Sequence, residues 1–156
     1  CIRISRDDSQ CVSSSADGTC IIWDLNSETF RRRQVIFANT LFRCVCYRPD
    51  ECQIVTSGTD RKIAYWELFD GSLIRELEGS RSGSINGMDV SMDGDYFVTA
   101  GDDKLVKVWK YDEGVVSHVG IGHSTAITRL RICPNNRIIV TVSEEGAVFM
   151  WRFPTD

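Results

Sequence analysis

Four tryptophans stand at matching distances from a hydroxyl residue and a carboxylate. Each tryptophan follows a Ser or Thr by ten positions and an Asp or Glu by six. The sets are Ser13, Asp17 and Trp23; Thr56, Asp60 and Trp66; Thr99, Asp103 and Trp109; and Thr141, Glu145 and Trp151. A buried indole N–H must find an acceptor, and a hydroxyl on a neighbouring strand supplies one. The ten-residue spacing therefore predicts that each tryptophan donates to its hydroxyl, a contact that holds structure together rather than catalyses a reaction.

The tryptophans lie 43, 43 and 42 residues apart, and each ends the same local pattern. The four copies read CVSSSADGTCIIWDL, IVTSGTDRKIAYWEL, FVTAGDDKLVKVWKY and IVTVSEEGAVFMWRF. Self-similarity at this period indicates one supersecondary unit repeated along the chain. Alternation and turn residues predict four strands per unit but three in the last, with second strands near 11–15, 53–58, 96–101 and 138–143. The repeats span about 1–37, 38–79, 80–121 and 122–153.

This pattern resembles the WD40 repeat, the unit of a β-propeller blade. The resemblance implies an all-β fold in which residues 1–156 form the C-terminal part of one WD40 β-propeller, a partial ring of about three and a half four-stranded blades. It also implies a histidine, from a Gly-His pair, between the turn carboxylate and the hydroxyl. Only His123 supplies it, opposite Glu145 rather than Asp. Because Glu is one methylene longer, we expect their contact to be strained, water-mediated or absent.

Composition excludes several kinds of function. Neither histidine accompanies a nucleophile motif, and the chain has no phosphate loop or dinucleotide fingerprint. Seven cysteines without a Cys-x-x-Cys pair indicate free thiols in a reducing compartment. A net charge of −4 argues against nucleic acid as the main partner, and no apolar run is long enough for a membrane span. We therefore predict a non-enzyme with no cofactor, metal or catalytic residue, which binds proteins.

Several segments depart from the general repeat. These are TSGTDRKIAYWE at 56–67, IRELEGS at 74–80, GSINGMD at 83–89, HVGIGHS at 118–124 and RICP at 131–134. They resemble WD-repeat proteins of the ciliary and flagellar axoneme. That resemblance implies a cytoplasmic, cytoskeletal protein held inside doublet microtubules, where it contacts tubulin and neighbouring inner proteins and supports motility. The alternative is a soluble scaffold or peptide reader, such as a substrate receptor, unconnected with cilia.

Two places are candidate partner contacts. Arg31, Arg32 and Arg33 form the only basic run, and a charged outer strand that deters edge pairing explains it more simply than an acidic partner such as tubulin does. Arg81 precedes the first strand of the third repeat, where it is placed to line the narrow face of a ring. A peptide reader needs arginines or aromatic residues on that face, and Arg81 is the one residue that the sequence assigns to it.

The strand count leads to an expectation about assembly. The chain begins on a strand, with Ile2 and Ile4 expected to face inward, and the last repeat lacks its fourth strand. Such an open arc exposes apolar sheet faces and an unpaired edge, which proteins generally avoid. We expect the chain to be part of a longer one. In isolation, we expect it to self-associate, with two copies closing head to tail into about eight blades.

Overall fold

The computed structural model describes residues 1–26, 28 and 30–154, which fold into four antiparallel sheets. The first sheet contains β1 (Ile2–Ile4), β2 (Gln10–Ser14), β3 (Thr19–Asp24) and β4 (Arg32–Phe37). The second contains β5 (Phe42–Tyr47), β6 (Gln53–Gly58), β7 (Lys62–Glu67) and β8 (Leu73–Glu78). The third contains β9 (Ile85–Val90), β10 (Tyr96–Gly101), β11 (Leu105–Lys110) and β12 (Val115–Ile121). The last contains β13 (Ile127–Ile132), β14 (Ile138–Ser143) and β15 (Val148–Arg152).

Each sheet is a simple meander, in which neighbours in sequence are neighbours in space. Turn chemistry explains the short connections. At Asp17-Gly18, the Asp17 carboxylate accepts the backbone N–H of Thr19, and Gly18 adopts a φ of 84° that residues with a Cβ avoid. The all-β architecture predicted from the repeats is confirmed, including three strands in the last sheet.

The first strand of every sheet lies on the inner side of the arc. Strands β1, β5, β9 and β13 contact one another across sheets, whereas β4, β8 and β12 are outer edges. Three of the inner strands carry one extra, unpaired residue near their start: Arg43, Asn86 and Thr128. Such bulges bend a strand and redirect side chains. The inner side of the arc therefore presents side chains that strict alternation would not place there.

Apolar side chains fill the space between successive sheets. Val12 and Ile22 of the first sheet pack with Trp66 of the second. Tyr65 of the second sheet packs with Phe97, Trp109 and Tyr111 of the third, and Val98 and Val108 of the third pack with Ile127 and Leu130 of the last. Each of these layers is the core of a sheet-on-sheet contact. A tryptophan thus faces the sheet that precedes its own.

The expectation that Ile2 and Ile4 face inward is wrong, since each is 59% exposed. The register places Ile2 opposite Ser13, and Ile4 opposite Cys11, which is itself opposite Trp23. Both isoleucines therefore lie on the face of the first sheet that carries Trp23. No preceding sheet of this chain covers that face. At the other end, Met150 on β15 is 77% exposed on the far face of the last sheet.

Candidate functional site: tryptophan sets and the inner opening

The indole of every tryptophan donates to the hydroxyl ten residues earlier. The N···O distances are 2.9 Å for Trp23 to Ser13, 2.8 Å for Trp66 to Thr56, 2.9 Å for Trp109 to Thr99 and 2.9 Å for Trp151 to Thr141. The strand register explains the reach. Trp66 on β7 lies opposite Ile54 on β6, so Thr56, two residues along, shares its face.

The four tryptophan–hydroxyl pairs differ in how deeply they are buried. Thr56, Thr99 and Thr141 are at most 2% exposed, and Trp66 and Trp109 are almost as fully buried. Trp23 and Trp151 are only half-buried. A buried donor without an acceptor costs more than an exposed one, because water can replace the acceptor only at the surface. The hydroxyls of the two middle repeats therefore contribute most to stability.

The four turn carboxylates do not share one role. Asp17 accepts from the backbone and the hydroxyl of Thr19, and these hydrogen bonds lower its pKa. Asp60 accepts the N–H of Lys62, while its own N–H donates to the Thr40 hydroxyl. The first two carboxylates thus organise their own turns and take no further part in the tryptophan sets.

In the third repeat, a lysine occupies the space beside the carboxylate. Lys107 Nζ lies 2.7 Å from Asp103 Oδ2 and 2.9 Å from the carbonyl of Gly79, and Ser80 donates to the same carboxylate at 3.1 Å. Both charged side chains are largely buried, where an unpaired charge is costly. Sequence reasoning missed Lys107. Lys107 lies two residues before Trp109 on β11, so both side chains lie on the same face of the strand, and this spacing could have indicated the contact.

The last repeat holds the histidine. His123 Nε2 lies 2.7 Å from Thr141 Oγ1, and its ring stacks on Phe149 at 4.3 Å between centroids. Glu145 turns away and accepts from the Ser124 hydroxyl at 2.6 Å. Within the described residues, His123 Nδ1 is buried without a hydrogen-bond partner. The longer Glu side chain therefore leaves the histidine unsupported by a carboxylate.

The candidate partner contacts lie in two separate places. Arg31 precedes β4, while Arg32 and Arg33 are exposed on it, with Arg33 donating to Gln10 at 3.0 Å. Arg81 is exposed in the loop after β8, beside a cavity of about 440 Å³ that Lys107 and Trp109 also line. The basic run is thus on the outside of the first sheet, and Arg81 is at the junction of the second and third.

The inner opening contains arginines that sequence reasoning did not assign to it. Two cavities, of about 410 and 200 Å³, are each lined by residues from all four repeats. The arginines lining them are Arg3, Arg6, Arg43, Arg48, Arg129 and Arg131. The sequence contained an indication of this placement, since Arg3 and Arg131 each precede the tryptophan of their repeat by 20 positions.

Among residues 1–26, 28 and 30–154, no group of three His, Cys, Asp or Glu side chains is placed to hold a metal ion. The same residues include no helix of the length and apolarity needed to cross a membrane.

Replacing Thr99 by Val is expected to lower the free energy of unfolding by about 1–3 kcal/mol, because the buried Trp109 N–H loses its acceptor. Thr99→Ser keeps the hydroxyl and is the matched control. Urea denaturation monitored by tryptophan fluorescence measures both variants. Equal stability of Thr99→Val and Thr99→Ser would show that this hydrogen bond contributes nothing.

The repeats, the meandering sheets and the tryptophan sets define a class of protein. A family model described as "WD domain, G-beta repeat" matches residues 1–24, 34–67, 71–110 and 114–152. The chain belongs to the WD40 repeat family, whose blades assemble into β-propellers and whose domains mediate contacts between proteins.

Within that family, the chain is similar to several curated proteins. It is 64% identical over 99% of its length to Cilia- and flagella-associated protein 52 of Homo sapiens, of which it covers 24%. It is 50% identical over 98% of its length to Cilia- and flagella-associated protein 52 of Chlamydomonas reinhardtii, of which it covers 25%. Protein HIR1 of Eremothecium gossypii is 29% identical over 78% of the chain. The chain spans about a quarter of the length of the cilia- and flagella-associated relatives.

Proposed function

We propose that the chain is part of a non-catalytic scaffold of the ciliary axoneme. In this proposal, a WD-repeat protein sits inside doublet microtubules, binds tubulin and neighbouring inner proteins, and supports motility. The observation that carries the proposal is the similarity, across almost the whole chain, to relatives named for cilia and flagella in both a mammal and an alga. The matched region spans 154 residues and so includes the segments that depart from the general repeat.

The use of polar groups supports a scaffold rather than an enzyme. Each indole N–H is paired with its hydroxyl, and the largely buried carboxylate of Asp103 is paired with Lys107. The buried His123 ring forms a hydrogen bond with Thr141 through Nε2 and stacks on Phe149. An active site needs a nucleophile or base with a free approach to substrate, and these groups are committed to holding sheets together.

The outer strand of the first sheet supports contact with an acidic partner. Arg32 and Arg33 begin β4, and Phe37, which is 75% exposed, ends it. Arginine and aromatic residues are enriched in protein interfaces, and this strand carries both. Tubulin is an acidic partner that fits such a strand.

A soluble peptide reader unconnected with cilia is the second candidate. The arginines of the inner opening favour it, because a reader needs a concave, charged surface for its ligand. A scaffold can bind a segment of a neighbouring protein in the same way. Whether the protein associates with microtubules therefore separates the two candidates.

The test is co-polymerisation of the full-length protein with purified tubulin, followed by sedimentation. We expect the protein to pellet with the polymer. Replacing Arg31, Arg32 and Arg33 by Glu should weaken binding roughly tenfold, because it reverses three charges at the proposed contact. The matched control changes Lys104, Arg137 and Arg152 to Glu, which are exposed elsewhere and should have little effect. Failure of the unaltered protein to pellet would contradict the microtubule role.

A further inference from the structure

The three outer strands differ in how their free edges are protected. Strand β4 begins with two arginines, and β8 carries one arginine and two glutamates. Strand β12, from Val115 to Ile121, reads VVSHVGI and contains no Lys, Arg, Asp or Glu. Charged side chains on an exposed edge deter other chains from pairing with it. Strand β12 is therefore the outer edge that charge does not close to a further strand.

The side chains and the backbone of β12 both lack partners. Val115, Val116, Val119 and Ile121 are between 41% and 79% exposed. Within residues 1–26, 28 and 30–154, only β11 pairs with β12, so one row of its backbone N–H and C=O groups has no partner strand. Such a row is complemented by the backbone of another extended chain. The hydrogen-bonding pattern of this edge thus specifies a strand as its occupant.

A cavity of about 440 Å³ lies beside this strand. Val116 and Val119 of β12 line it, together with Leu105 and Trp109 of β11. Val116 lies opposite Trp109, whose indole faces the second sheet, so both side chains point into the space between the second and third sheets. The cavity is therefore an apolar recess next to the free edge, with room for a side chain of an added strand.

The charges around the cavity favour an anionic group. Arg81, Lys107 and Asp103 line it, which leaves one positive charge in excess. Lys107 uses two of its three N–H donors, on Asp103 and on the carbonyl of Gly79. In the part of the chain that the structure describes, 1–26, 28 and 30–154, the exposed Arg81 guanidinium forms no hydrogen bond or ion pair. A carboxylate on the occupant therefore has a free partner in Arg81.

We propose that β12 binds an extended segment of a neighbouring protein by strand addition. The segment pairs its backbone with β12, places an apolar side chain in the cavity and sets a carboxylate against Arg81. In this mode of recognition, backbone hydrogen bonds supply affinity and side-chain pockets supply specificity. The surface lies on the outer side of the third sheet, whereas the basic run lies on the first. The proposal rests on the scaffold role, since it names how the scaffold holds one of its neighbours.

The test measures binding of a short fluorescein-labelled peptide to the full-length protein by fluorescence anisotropy. The peptide alternates threonine with valine and ends in aspartate. We expect it to bind, and a copy N-methylated along its backbone not to bind, because that copy has no N–H groups to donate. Val116→Lys with Val119→Lys should weaken binding about tenfold, since lysine on an edge opposes pairing. The matched control, Leu73→Lys with Ile74→Lys, changes two similarly exposed apolar residues on β8 and should bind as the unaltered protein does.

Arg81→Gln tests the charged contact separately. The unaltered protein should bind the aspartate peptide about threefold more tightly than the same peptide ending in asparagine, as for an exposed ion pair. Arg81→Gln should remove this preference. Thermal melting shows whether each variant is folded. Arg81 is an exposed loop residue, so its variant carries the test if the lysine variant of β12 does not fold.

Several results would overturn the proposal. Among them are no binding by the unaltered protein, equal binding of the N-methylated peptide, and equal affinity of the β12 lysine variant and its control. A dimer of the full-length protein in sedimentation equilibrium, lost in the β12 variant, would replace the neighbouring protein with a second copy. The assay contains no tubulin, and the variant with Glu at Arg31, Arg32 and Arg33 should bind the peptide normally. Its outcome is therefore independent of the microtubule experiment.

Discussion

Replacing Trp109 by Ala is expected to lower the free energy of unfolding by about 3–5 kcal/mol. The indole is buried between the second and third sheets and stacks on Phe97, with ring centroids 5.6 Å apart and an interplanar angle of 7°. Tyr65 and Tyr111 complete this aromatic cluster. Truncation removes a large apolar surface, leaves a cavity and deprives Thr99 of its donor. Urea denaturation followed by circular dichroism measures the loss.

Trp23→Ala is the matched control for that experiment. Trp23 makes the same hydrogen bond, at 2.9 Å to Ser13, but is half-buried and faces no preceding sheet of this chain. In the 156-residue chain taken alone, its loss should cost about 1 kcal/mol, near the net value of one hydrogen bond. Equal destabilisation by the two substitutions would contradict the view that packing between sheets, rather than the hydrogen bond, dominates.

Gly101→Ala is expected to destabilise the chain by about 3 kcal/mol, the upper part of the usual range for overpacking. A Cβ at Gly101 would lie 2.0 Å from the carbonyl oxygen of Ser84 and 2.9 Å from Cα of Ile85. The obstructing atoms belong to the backbone at the start of β9, and the adjacent Ile85 side chain is buried. The clash therefore cannot be relieved by rotating one flexible side chain. Thermal melting of the variant measures the effect.

Gly146→Ala separates this clash from backbone strain. Gly146 has a φ of 84°, which disfavours any residue with a Cβ, but no atom lies within 4 Å of the added methyl. Its replacement should cost about 1 kcal/mol from the left-handed backbone alone. If Gly101→Ala proves no more harmful than Gly146→Ala, the close approach of β10 to β9 at this point does not constrain the fold.

The strands were predictable because local signals agree with the repeat. The expected second strands near 53–58, 96–101 and 138–143 match β6, β10 and β14, and the first differs from β2 by one residue. The hydroxyl and the tryptophan sit on adjacent strands of a meander, so a fixed spacing in sequence becomes a fixed distance in space. The exposure of Ile2 and Ile4 was not predictable, because it depends on which face of the first sheet is covered.

The charged groups were less accessible to sequence reasoning. Lys107 reaches Asp103 across a turn, and Glu145 selects Ser124 over His123 because of its length. The arginines of the inner opening come from separate repeats, and the packing of successive sheets places them around two cavities. Such contacts depend on where sheets lie relative to one another, which a local pattern does not specify. Self-association of the isolated chain remains a prediction.

Cryo-electron microscopy of doublet microtubules tests the proposed role most directly. The comparison is between axonemes from cells that contain the full-length protein and from cells that lack it. A scaffold inside the doublet predicts β-propeller density in the lumen, in contact with tubulin, that disappears in the mutant cells. Luminal density that is identical in both preparations, together with normal motility, would contradict the account and favour a reader of peptides outside the axoneme.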